Sequence, residues 1–215
     1  MFIRHEDYNR VGDHWDTNEA ERSMESPLIG HEFRLFGHGF HILESSRDTD
    51  DGSLRFQYSA PPRAHVPEHV HTLQEERFEI VSGMLGVRVG GGQSILRPDQ
   101  SEVGPPGIPH EWWNPSEKEE VCFRVGIRPG LDVEIVLETV LGLERDGKTI
   151  GSIPMNPLQL AVLAREIGGW AHSPGLAVPA RKALFAPVVL LALVGRLLGY
   201  RTRYPEYSGP EAAHA

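Results

Sequence analysis

The feature that most restricts the fold of this chain is its punctuation. From about Gly30 to Gly130 the sequence breaks into short apolar or alternating runs, each cut off by residues that favour turns. Runs at 32–36, 40–43, 54–59, 78–81, 85–89, 94–96, 111–113 and 121–127 read as strands. Asp51-Gly52, Gly90-Gly91-Gly92 and Gly104-Pro105-Pro106-Gly107 bound several of them. Many short strands at close spacing predict an antiparallel all-β sandwich or barrel, not a parallel α/β sheet.

The texture changes after Gly130. Val133, Val136, Leu137, Val140, Leu141 and Leu143 recur at close to helical spacing. Asn156-Pro157 reads as an N-cap with proline in the first helical position, opening a helix over 158–167 that Gly168-Gly169 ends. A third helix is expected from Pro179 to about Gly199, interrupted or begun late by Pro187. The expected units are therefore an arm over 1–29, a β-domain over 30–130, a helical extension over 131–204 and a tail over 205–215. The favoured reading of the apolar run 183–195 is a helix buried in the domain or at a dimer interface. Peripheral contact with a membrane ranks second. A spanning helix ranks last, because the run is about thirteen residues and a bilayer takes about 20.

Charge and cysteine content exclude several functions. Lys and Arg number 21 against 30 for Asp and Glu, a formal charge of −9, so no nucleic-acid partner is expected. Cys122 is the single cysteine, so neither an intrachain disulfide nor a thiolate cage can form. It reads as a buried small apolar residue. The start MFIRHEDYNR lacks the apolar stretch of a signal peptide, and a reducing cytoplasm is the expected location.

Most of the eleven histidines stand alone, but those between His65 and His110 do not. His69 and His71 are two apart, so on an extended strand both imidazoles point to one face. Glu76 follows five residues later, and His110 comes after a Pro/Gly turn. Three imidazoles and one carboxylate suit a first-row divalent metal. Glu75 competes with Glu76, but alternation through Phe78 and Ile80 favours Glu76 for the inward face. His65 shares strand parity with His69 if the strand continues through Pro67; a bend there makes it a rim residue.

These residues resemble the two motifs of the cupin superfamily. His69-Val70-His71, four residues, Glu76, six residues and Gly83 match the first. Pro105-Pro106-Gly107-Ile108-Pro109-His110-Glu111-Trp112-Trp113-Asn114 matches the second. Arg63 and Asp99 stand where each motif would open on a glycine, which affects turn geometry and not the metal ligands. The resemblance covers roughly 55–127. It implies a mostly β fold, an antiparallel jelly-roll (cupin) barrel with a C-terminal helical extension. It also implies that His69, His71, Glu76 and His110 bind one divalent transition metal (Fe, Mn, Ni, Zn or Cu). Phe56, Tyr58, Phe78, Trp112 and Asn114 are candidate pocket residues.

The expected function is a metal-dependent enzyme, an oxygenase-type oxidoreductase acting on a small oxygen-bearing organic substrate. Isomerisation and decarboxylation belong to the same class of site. The alternative is a non-catalytic module that binds a small ligand or metal as sensor or carrier. A homodimer is expected to cover the apolar helix.

Overall fold

A computed structural model of the chain describes residues 29–175 and 177–208. The expected arm, apart from Ile29, and tail residues 209–215 lie outside the described residues. The strands are β1 (Glu32–Leu35), β2 (His38–Glu44), β3 (Leu54–Ala60), β4 (His65–His71), β5 (Glu75–Ser82), β6 (Leu85–Val89), β7 (Gly92–Leu96), β8 (Ser101–Gly104), β9 (His110–Trp113) and β10 (Val121–Arg128). Helix α1 (Val133–Arg145), the short strands β11 (Thr149–Ile150) and β12 (Ile153–Pro154), and helix α2 (Pro157–Trp170) follow. Strand β13 (Ala171–His172) and helices α3 (Val178–Leu197) and α4 (Pro205–Ser208) complete the described elements.

Two antiparallel sheets form the β-domain, in the orders β1-β2-β3-β10-β5-β8 and β13-β4-β9-β6-β7. Strands distant in sequence pair across them, β3 with β10 and β4 with β9, which is the jelly-roll wrap. Period-two alternation drives the layering. On β5 the side chains of Glu76, Phe78 and Ile80 are buried while those of Arg77, Glu79 and Val81 are exposed. Phe56, Phe78, Phe123 and Val125 from the larger sheet meet Leu85, Val87 and Trp112 from the smaller. Each such side chain contributes about 1.5–3 kcal/mol through burial, and together they hold the sheets face to face.

Strand β4 was not among the runs read as strands, because HVPEHVH has no apolar alternation. It forms around a break. Val66 pairs with Trp112, the register shifts, and His69 then pairs with His110. Pro67, which has no N–H to give a ladder, sits inside that shift. The extra residue reverses parity, so His69 and His71 join Val66 on the inward side while His65 faces outward.

The helical third packs on the larger sheet through α1, whose Val133 and Leu137 reach the main core. Two buried carboxylates fasten α1 to the loop after β2. Glu134 Oε2 accepts from both hydroxyls of Ser45 and Ser46 at 2.9 Å, and Glu138 holds Arg47 at 2.6 Å. A second cluster joins Leu35, Val136, Val140, Leu143, Leu163 and Tyr207. The packing of Tyr207 makes residues 205–208 a short helix in the fold rather than a tail.

Three expectations for the helices change. The Asn156 side chain caps α2 as expected, accepting from the amides of Leu158 and Gln159, but the helix runs through Gly168-Gly169 to Trp170. Phe185 packs where a side chain on Gly168 would lie, and β13 zips onto β4 immediately afterwards, so tertiary contacts override the glycine stop. Pro187 lies inside α3 without interrupting it. Nor is α3 buried in the domain: of its residues only Ala192 and Gly195 are buried, against α2.

Candidate metal centre

The strand break in β4, the turn after it and the Pro/Gly turn before β9 bring four side chains to one point between the sheets. Single donor atoms of His69, His71, Glu76 and His110 all lie within 4.8 Å of one another. Glu76 Oε2 is 3.0 Å from His110 Nε2, 3.3 Å from His71 Nε2 and 3.7 Å from His69 Nε2. Donors about 2.1 Å from a common ion stand about 3.0–3.4 Å apart when they subtend octahedral or tetrahedral angles. The His110 and His71 distances fit a first-row divalent ion, and His69 stands a few tenths of an ångström further out. Glu75 lies on the opposite face of β5, so parity separates the two carboxylates as the sequence suggests.

The second nitrogen of each ring decides what these donors can do. His69 Nδ1 is 2.9 Å from the Pro67 carbonyl, and His110 Nδ1 is 2.9 Å from the Ile108 carbonyl. His71 Nδ1 is 3.0 Å from Gln74 Oε1. Gln74 is fully buried, and its Nε2 donates to the carbonyls of Pro129 and Gly130 at 3.0 and 3.2 Å, which fixes its oxygen toward His71. All three partners accept only, so every Nδ1 carries the proton and donates. In the neutral rings every Nε2 then presents a lone pair to the Glu76 carboxylate, an arrangement that a cation at the centre relieves.

The charges respond accordingly. Without a cation between them, a ring that takes a second proton on Nε2 donates it to Glu76; burial disfavours ionised Glu76, but such hydrogen bonds from His110, His69 and His71 outweigh it and hold the carboxyl well below its usual range. Burial lowers the affinity of His69 for a proton, and the neighbouring Glu76 more than restores it, leaving a net upward shift.

Of the candidate pocket residues, Phe56, Phe78 and Trp112 are buried between the sheets and Tyr58 is half-buried. The Tyr58 ring lies 5.2 Å from that of Trp112, and the Phe78 ring 6.4 Å from that of His110. Burial and the charge of Glu76 push the Tyr58 phenol well above its ordinary value, so it stays protonated. Asn114 has a different task. Its Nδ2 donates to the carbonyls of Ala60, Pro61 and Glu119 and its Oδ1 accepts from Ser116 N, which fastens the loop before β10. His65 and Glu111 pair at 3.0 Å beside Arg88 on the outward face of the smaller sheet.

Three residues at the site escaped sequence reading. Gln74 is one of the four residues between His71 and Glu76, and the sequence assigns it no role. Trp170 stacks on His71 with ring centroids 5.9 Å apart and planes 5° from parallel, and it arrives from the helical third. His38 lies 5.3 Å from Tyr58 and 6.2 Å from Trp112 between ring centroids. Its Nδ1 is buried with no hydrogen-bond partner, and burial pushes its pKa down, toward the neutral ring. Nothing in the local sequence marks it.

A model of the cupin domain matches residues 56–126. The "Probable oxidoreductase virH" of Hypocrea virens is 31% identical over 148 residues, 66% of this chain and 67% of the relative. An oxidoreductase of Arthrobotrys oligospora is 30% identical, covering 66% and 59%, and the "Probable oxidoreductase patJ" of Penicillium expansum is 28% identical, covering 80% and 56%. The chain thus spans well under two thirds of the latter two. Among solved structures, an RmlC-like cupin from Shewanella frigidimarina aligns with TM-score 0.41 and 17% identity, over 57% of this chain and 96% of that one. With both motifs folded around one point, the cupin-domain match over residues 56–126 and a relative 31% identical across two thirds of its length, the chain belongs to the cupin superfamily.

Proposed function

We propose that this protein is a metal-dependent oxidoreductase of the oxygenase type, acting on a small oxygen-bearing organic substrate. The observation that carries the reading is the set of three Nδ1–H donors locked on acceptor-only oxygens, which leaves three Nε2 lone pairs and one carboxylate oxygen converging on a point. A divalent ion held there supplies Lewis acidity toward a substrate oxygen and, when redox-active, one-electron chemistry with dioxygen. Dioxygenation places both oxygen atoms in the product and needs no further reductant. The relatives named as oxidoreductases point the same way.

The chain's own residues shape the rest. Tyr58, Trp112 and Phe78 give the ligand-facing wall an aromatic, water-poor character. Tyr58 keeps its proton and serves as a hydrogen-bond donor and not as a base. His38, neutral and with an open Nδ1, offers the polar contact that orients a substrate against those rings.

Metal analysis of protein purified without chelator should return close to one divalent ion per chain, and oxygen uptake with phenolic, diketone and amino-acid-derived substrates should follow. Full metal occupancy in a His69→Ala/His110→Ala double variant would refute the ligand assignment. Stoichiometric metal with no oxygen consumption across the panel would favour a non-catalytic binding module. His38→Gln should retain metal and raise KM; an unchanged KM would remove His38 from the pocket.

A further inference from the structure

Helix α3 is the one long described helix that the β-domain does not cover. Its twenty residues, about 30 Å at 1.5 Å per residue, have a mean hydropathy of 1.7 in their most apolar window, of which 11% is buried. The core helix of a soluble domain has such a composition because it is enclosed. This one is open: Leu184 is 72% exposed, Leu190 63% and Leu197 87%.

The distribution of these side chains around the axis identifies the occupant. At about 100° per residue, Val188, Ala192 and Gly195 form a narrow stripe turned to α2. Leu184, Leu190, Leu191, Leu193, Val194 and Leu197 span about half the circumference, on the side away from α2, and from Ala183 to Gly195 no polar side chain interrupts them. A second copy of the chain seated by two-fold symmetry covers a stripe of about 100° and leaves the flanks of that arc in water. A hydrocarbon phase covers them all.

Charge supports the same occupant. The chain carries −9 overall, yet between residues 171 and 205 it has no Asp or Glu. Arg181 and Lys182 precede the apolar stretch, and Arg196, Arg201 and Arg203 follow it, Arg196 paired with Glu166 of α2 at 3.3 Å. Cations at both ends of an apolar helix suit anionic lipid headgroups. The helix stays on the domain side of the bilayer because α2 packs along it and continues into β13, which is hydrogen-bonded to β4. We infer that α3 docks the enzyme on an anionic lipid surface, its axis in the plane of the membrane and its outer leucines in the acyl region.

The test is co-sedimentation of the full-length protein with vesicles of phosphatidylcholine alone or with added phosphatidylserine. Binding should be at least tenfold stronger to the anionic vesicles and weaken with salt. Leu190→Glu/Leu193→Glu, at exposed positions, should abolish it with metal content and far-UV circular dichroism unchanged. Lys182→Gln and Arg201→Gln should each weaken it about fivefold, the worth of one cation at a charged surface. A Trp placed by Leu190→Trp should shift to the blue and be quenched by brominated acyl chains. Protein that stays in the supernatant overturns the inference, whether it is monomeric or a dimer in light scattering that Leu190→Glu/Leu193→Glu dissociates.

Discussion

Gln74 offers the sharpest separation between holding the fold and tuning the metal. Gln74→Leu removes three hydrogen bonds at once: His71 Nδ1 to Oε1, and Nε2 to the carbonyls of Pro129 and Gly130. At about 1 kcal/mol each the loss is about 3 kcal/mol, and the fully buried position admits no water to replace them. For a chain of this size that lowers Tm by about 6–12 °C. His71 also loses the acceptor that fixes its tautomer and ring angle, which should weaken metal binding about 10- to 100-fold. Gln74→Glu separates the two effects. Its carboxylate still accepts from His71 but sets an oxygen against two carbonyls, so it should cost stability while keeping metal affinity near that of the parent. Stability is read from thermal melts in chelator, and affinity from competition with a chelator of known strength. A Gln74→Leu protein that melts early yet binds metal as tightly as the parent would show that the Nδ1 partner does not set the site, and the tautomer argument would fall.

The turn positions make a second case. Arg63 and Asp99 hold φ of 61° and 66° where the family motifs carry glycine. Arg63→Gly should raise stability by about 0.5–1 kcal/mol and Asp99→Gly by less, because Asp tolerates the left-handed region better; a lower urea midpoint in either would refute the strain. Gly104→Ala should loosen the metal and not the fold, since the new methyl would meet the His110 ring at 3.0–3.2 Å; an unchanged metal Kd would mean that the ring yields freely. Asp146 accepts from Tyr207 Oη and Lys148 Nζ, which lowers its pKa to about 2 from 3.8. A depressed carboxylate contributes stability above its unfolded pKa and loses it as pH falls through the folded one. The Tm gap between the parent and Asp146→Asn should therefore be full at pH 5 and close toward pH 2; a gap that persists below pH 2 would place its origin elsewhere.

What the sequence made legible follows from locality. Each of the eight runs read as strands lies within or overlaps a strand, because alternation and turn residues act within a few positions. Strand β8 was missed because Ser101–Gly104 is four residues long with Glu102 among them, and β4 because its order comes from pairing with β9 around Pro67. The cluster of His69, His71, Glu76 and His110 was readable since parity and turn spacing determine which way each side chain points. Trp170 and His38 act across 99 and 74 positions of chain, to His71 and Trp112, and Gln74, three residues from His71, is oriented by Pro129, 55 positions away. No local period encodes contacts of that kind. The exposure of α3 was equally hidden: an apolar run has the same composition whether protein or lipid surrounds it.

The helical third is best understood through α2. A jelly-roll sandwich leaves the edge of β4 open, and that edge carries His71. Closing it with a strand alone would satisfy backbone groups but leave the imidazole face to water. Here α2 ends on Trp170, whose ring covers His71, and β13 then pairs with His71 and Val70. The Trp170 carbonyl accepts from Thr72 N at 3.0 Å, so the cover is tied to the turn between His71 and Glu76. On its other side α2 carries α3, with Gly195 close enough to Leu158 O that any side chain there would press on backbone. One helix therefore joins the wall of the candidate metal centre to the apolar surface. The helical extension thus contributes Trp170 to the surroundings of the His71 ring.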